Sequence, residues 1–115
     1  MAFLSHDEYF ASKSTEVAAR LVSIQATVES LLPEASRCIS YGMPAFKSDG
    51  IFFYVAAFNQ HIGIYPPVTQ DALLIQELAP YRGKKDNLTF PLNQPLPLEL
   101  IGRVAVALHR QYAKS

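Results

Sequence analysis

One cysteine, Cys38, stands alone in the sequence. That excludes an internal disulfide framework and a cysteine-only zinc site, and makes a reducing cytoplasm the expected setting. Net charge is missing too, since ten Lys and Arg residues balance ten Asp and Glu. A chain with no positive excess is a poor candidate for generic binding to nucleic acid or to an anionic membrane. No apolar run approaches the ~20 residues of a membrane-spanning helix, and the N-terminus lacks a charged-then-apolar signal pattern. There is no phosphate-binding loop, dinucleotide fingerprint, HExxH or nucleophile elbow. What remains is plentiful apolar material. Of 115 residues, 50% are hydrophobic and only 17% charged, which suits one packed domain over residues 1–115.

The balanced charge is unevenly placed. Asp7, Glu8, Glu16, Glu29 and Glu34 outweigh Lys13 and Arg20 in residues 1–34. Arg82, Lys84, Lys85, Arg103, Arg110 and Lys114 outweigh Asp86 and Glu99 in residues 80–115. Two readings follow: the ends pack together and neutralise each other, or they form a patterned field for a charged ligand. Glu16 and Arg20 are spaced for an i,i+4 ion pair.

Ser5-His6-Asp7-Glu8 is a capping box, so a short helix is expected to about Ala11. Val17, Leu21, Ile24, Val28 and Leu31 recur at helical spacing from Thr15 and stop before Pro33. The period then becomes two. Cys38–Tyr41 reads as a strand with Gly42 as a kink, and Pro44–Ser48 as its continuation at a sheet edge, because proline cannot donate to a ladder. Asp49-Gly50 is a hairpin signal, Ile51–Phe58 a long strand, Asn59-Gln60 a second tight turn and His61–Tyr65 the next strand. A helix is expected from Thr69 or Gln70 to Leu78, a polar loop over 81–87 and a short strand over Leu88–Phe90. A last helix follows Pro97, with Leu100, Ile101, Val104, Leu108 and Tyr112 as its buried face. The order predicts an α+β fold, an antiparallel-dominated sheet with helices packed on one face.

Strand alternation sorts the sheet residues. Phe46, Ile51, Phe53, Val55, Ala57, Ile62 and Ile64 form an apolar face for the helices. The opposite face carries Lys47, Phe52, Tyr54, Ala56, Phe58, His61, Gly63 and Tyr65. Ala56 opposite Gly63 leaves a hollow walled by aromatic side chains, which is how small-molecule sites are built. Internal packing by the 81–95 segment, or a dimer contact, fills the same hollow in the alternative readings. His6, His61 and His109 show no metal-ligand spacing, Cys38 reads as a small core residue, and no second catalytic group accompanies His61.

Ile39-Ser40-Tyr41-Gly42-Met43-Pro44-Ala45-Phe46-Lys47 resembles the signature of the YdhG-like domain of unknown function. Ala56-Ala57-Phe58 with His61-Ile62-Gly63-Ile64-Tyr65-Pro66 resembles its second motif. Phe90-Pro91-Leu92, followed by Gln94-Pro95-Leu96-Pro97-Leu98-Glu99-Leu100-Ile101, resembles the third. The resemblance spans essentially the whole chain and implies an α+β fold grouped with frataxin-like folds. One bacterial branch of that family is described as a frataxin-like iron chaperone for iron–sulfur or haem assembly. Relatives commonly read Ser-Lys-Gly-Thr where this chain has Lys84-Lys85-Asp86-Asn87, so Lys85 matches and Asp86 replaces a glycine. Iron without thiolates requires clustered carboxylates or imidazoles.

The expected function is a non-enzymatic binding module that takes a small ligand, with anions among the candidates, or a protein partner. Its expected site is Tyr41, Lys47, Tyr54, His61, Tyr65 and Lys85. The alternative is an iron chaperone using Asp7, Glu8 and Glu16, with iron the only cofactor in view. Neither nucleic acid nor a membrane is an expected partner, and the chain is a monomer or a homodimer.

Overall fold

A computed structural model describes residues 3–112. Two helices open the chain, α1 (His6–Ala11) and α2 (Thr15–Leu31). Ser5 caps the helix as expected, accepting from the Glu8 N–H, while the Glu8 side chain reaches one residue past the cap and accepts from the Leu4 N–H instead of the Ser5 N–H. Four strands follow: β1 (Ser36–Ser40), β2 (Met43–Ser48), β3 (Gly50–Ala57) and β4 (His61–Tyr65). A short helix α3 (Ala72–Glu77), strand β5 (Leu88–Pro91) and the long helix α4 (Leu98–Tyr112) complete the order. The sheet is antiparallel throughout, in the order β1-β2-β3-β4-β5. The α+β expectation is met.

Two strand assignments change. Residues 38–48 are not one kinked strand. Tyr41 (φ 54°) and Gly42 (φ 74°) both take positive φ and turn the chain back, so β1 and β2 pair with Cys38 opposite Ala45. Positive φ at both central residues is what the tightest hairpin turn needs. β2 is therefore interior, and Pro44 is tolerated one residue from the strand start.

The second change is a β-bulge. Phe46 pairs with Phe53, but Lys47 pairs with Ile51, which leaves Phe52 as an extra residue. The bulge turns Phe52 away from the open face into the core, fully buried and edge-on to His109 of α4 at 5.1 Å. Ile51 moves to the Lys47 side in its place. Full burial of a Phe stabilises by about 2–3 kcal/mol, so the register slip is favoured despite the interrupted ladder.

Leu21, Ile24 and Val28 from α2 and Ile101, Val104 and Leu108 from α4 close over Phe46, Phe53, Ile62 and Ile64 of the sheet. Tyr112, expected on the buried face of α4, is exposed, and Leu31, the last member of the α2 stripe, is half exposed.

Candidate functional site

The open sheet face holds five of the six expected ligand residues. Tyr54 pairs with both Ala45 and Tyr65, and Tyr41 lies 6.1 Å from Tyr54, so three tyrosines form a row. Lys47 is exposed at one end, and His61 stacks on Phe58 at 4.8 Å at the other. Lys85 lies off the sheet, in the turn before β5, and β5 is three strand spacings, ~14 Å, from β2, so it stands at the opposite side of the sheet from Lys47. Lys85 (φ 59°) and Asp86 (φ 63°) both adopt positive φ, so Asp86 takes the backbone conformation a glycine would favour.

The hollow is filled by a side chain of its own sheet, Tyr65. Ala56 and Gly63 do stand opposite each other. A Cβ built on Gly63 would contact the Tyr65 hydroxyl and lie 2.9 Å from Cζ of that ring. The Tyr65 phenol thus lies back along its own strand over the glycine. Burial raises its pKa above the ordinary value, with Tyr9 adding to the shift. Tyr9 itself accepts a hydrogen bond from the Ala57 N–H at 2.9 Å.

The front acids are not gathered. Glu8 is engaged in its helix cap, and Asp7 and Glu16 lie in the first turns of different helices. His6 is buried. Its Nε2 meets the carbonyls of Cys38 and Ala45 at 3.1 and 3.0 Å, so Nε2 carries the proton, and Nδ1 meets the Gln25 amide at 3.0 Å. Neither ring nitrogen is free for a metal. Among the described residues no three His, Cys, Asp or Glu side chains are placed to hold one. The residues present do not fit an iron site.

A larger concavity lies on the helical side. α4 forms its floor, α2 and α3 its walls, and its volume is about 840 Å³. Its lining is largely apolar, with Leu31, Leu73, Leu98, Gly102 and Val106. Leu73 is 75% and Leu31 50% exposed to solvent. Gly102 sets the close approach of α4 to α2, because a Cβ there would lie 2.8 Å from Leu31 Cδ1. Arg103 crosses from floor to wall in a bidentate pair with Glu77 (2.7 and 2.8 Å) and also meets Glu99 at 3.0 Å. Those carboxylates hold the guanidinium pKa up, and Arg103 holds the Glu77 carboxyl below its ordinary value. Arg110, at the same rim, forms no ion pair among the described residues.

None of the groove residues was expected as a site from the sequence. One signal was available: Gly102 inside a helical pattern marks close packing there. One charge expectation fails: Arg20 donates to the Leu92 carbonyl at 3.1 Å instead of pairing with Glu16. The acidic front and the basic tail do pack side by side through α2 and α4, but no ion pair among the described residues joins them. Glu29 instead pairs bidentately with Arg37, which lowers its carboxyl pKa.

A five-stranded antiparallel sheet packed against helices defines the fold class. The crystal structure of YdhG from Bacillus subtilis, a DUF1801 family protein, superposes with a TM-score of 0.80 at 15% identity, covering 93% of this chain and 90% of that one. The fold of this chain is thus YdhG-like, in agreement with the motif resemblance. No family profile and no curated protein matches the sequence.

Proposed function

We propose that the chain is a non-enzymatic binding module and that the groove between α2, α3 and α4 holds its ligand, a small amphiphile with an apolar body and an anionic head. The groove itself carries this reading. At about 840 Å³ it falls within the ~300–1,000 Å³ of small-molecule sites, and its leucines Leu31 and Leu73 remain 50% and 75% exposed to solvent. Arg110 supplies the direction. It is the rim cation not already held by carboxylates, and guanidinium pairs well with a carboxylate or sulfate head.

Thermal shift and calorimetry with dodecanoate, dodecanol and acetate test the reading. Dodecanoate should stabilise the protein, dodecanol less and acetate not at all. Ala26→Trp, which plugs the groove from α2, should remove the effect, and Arg110→Ala should weaken dodecanoate about fivefold. An unchanged response in Ala26→Trp would sink the proposal.

A second reading rests on the open sheet face, where the 86% exposed Tyr41 beside Tyr54, with Lys47, His61 and Tyr65, offers a surface to a protein partner. The frataxin-like alternative, an intracellular iron chaperone using Asp7, Glu8 and Glu16, gains no support from the arrangement of those acids. Iron titration by calorimetry is expected to show no micromolar site.

A further inference from the structure

β1 and β5 are the two edges of the sheet. β5 is guarded, since Arg82 bridges to Leu88 and Pro91 ends the strand. β1 is not guarded. Its outer backbone groups have no backbone partner among the described residues. Its single charged residue, Arg37, which would discourage an incoming strand, is held back by the bidentate pair with Glu29 at 2.6 and 2.9 Å. An open edge of five residues is a template for one more strand.

A pocket of about 140 Å³ lies beside that strand, lined by Leu4, Ser5, His6, Asp7, Arg37 and Cys38. Its polar groups are nearly all occupied. The Ser5 hydroxyl oxygen caps α1, both His6 ring nitrogens are hydrogen-bonded, and Arg37 is paired. Asp7 forms no contact ion pair among the described residues, and its charge acts on Arg37 only from beyond contact distance. Leu4, 82% exposed, gives the pocket an apolar wall. A carboxylate with no contact partner beside an apolar wall suits a side chain with an aliphatic stem and a cationic tip.

We infer that the outer edge of β1 is a strand-addition site for an extended peptide whose lysine side chain enters the pocket formed by Leu4, Asp7 and Cys38. The edge supplies main-chain hydrogen bonds and the pocket reads one residue in register. A second copy of the chain fits less well. β1 offers only Arg37 as a cation, and that residue is already held by Glu29, so β1–β1 pairing would leave Asp7 without a partner. The site shares no residue with the helical groove and stands independently of it.

The test uses the whole chain and a heptapeptide of alternating threonine and valine with one central lysine, followed by calorimetry. Replacing the lysine by norleucine should weaken binding about fivefold, the size of a partly exposed ion pair. Asp7→Asn should weaken the lysine peptide by the same factor and leave the norleucine peptide unchanged. Methylating the peptide amides on alternate residues should abolish binding in one register and spare it in the other, because only alternate N–H groups face the edge. No binding of the parent peptide, equal binding of both methylated registers, or an Asp7→Asn protein that still prefers lysine would each overturn the inference. So would a dimer in sedimentation whose formation excludes the peptide.

Discussion

Gly63→Ala probes the packing of the open sheet face directly. A Cβ at this position overlaps the Tyr65 hydroxyl and lies 2.9 Å from Cζ and 3.1 Å from Cε2 of that ring. Non-bonded carbons settle at about 3.5–4.0 Å, so the ring must swing off the sheet. Releasing roughly 60 Å² of apolar ring surface at ~25 cal/mol/Å² costs about 1.5 kcal/mol. Replacing a strand glycine by alanine returns about 0.5–1 kcal/mol of backbone entropy. The net destabilisation is then about 0.5–1 kcal/mol, read as a lower urea midpoint with unchanged slope. In a Tyr65→Thr background no ring lies over residue 63, and the same substitution should stabilise by about 0.5–1 kcal/mol. The sign reversal, a coupling of about 1.5 kcal/mol, is the signature. Equal effects in both backgrounds would refute the placement of Tyr65 over Gly63.

Two further outcomes follow from the Tyr9 hydroxyl and the Cys38 thiol. Tyr9→Phe removes the acceptor of the Ala57 N–H and should cost about 1–3 kcal/mol in urea unfolding; a loss near zero would mean that water replaces the hydroxyl. Cys38, expected as a small core residue, is only partly buried. That partial burial pushes its thiol above the ordinary pKa, with Lys47 acting the other way, so at pH 8 less thiolate is present than in the unfolded chain. An aromatic disulfide reagent should therefore react more slowly with the folded protein than with the urea-unfolded one, and equal rates would contradict the partial burial of Cys38.

The β3–β4 pairing was legible because Asn59-Gln60 makes a two-residue turn, closed by the Phe58 N–H to the His61 carbonyl at 2.8 Å, and such a turn fixes every pair behind it. The β2–β3 pairing was not, because Asp49 alone carries the positive φ between Ser48 and Gly50, and the bulge at Phe52 absorbs the offset. No local pattern announces a bulge that exchanges Ile51 for Phe52. The Tyr41-Gly42 turn was hidden for a similar reason, since a tyrosine at positive φ runs against ordinary preference. The Ala56–Gly63 hollow followed from parity, but what fills it depends on the side-chain conformation of Tyr65, which alternation does not determine. The groove was least legible. Its walls come from residues 26–31 and 71–77 and its floor from 98–110, and Leu31 reads as the end of a core stripe until α3 is in place beside it.

The helical groove and the aromatic sheet face are separate surfaces, and the proposed amphiphile belongs in the first. The most direct measurement is a titration of the isotope-labelled chain with dodecanoate, following backbone amide shifts by NMR. Saturable shifts are expected at Ala26, Thr27, Leu73, Gly102 and Val106, with Tyr54, Gly63 and Tyr65 unmoved. Shifts confined to Tyr41, Tyr54 and Tyr65, or none at any position, would contradict that placement.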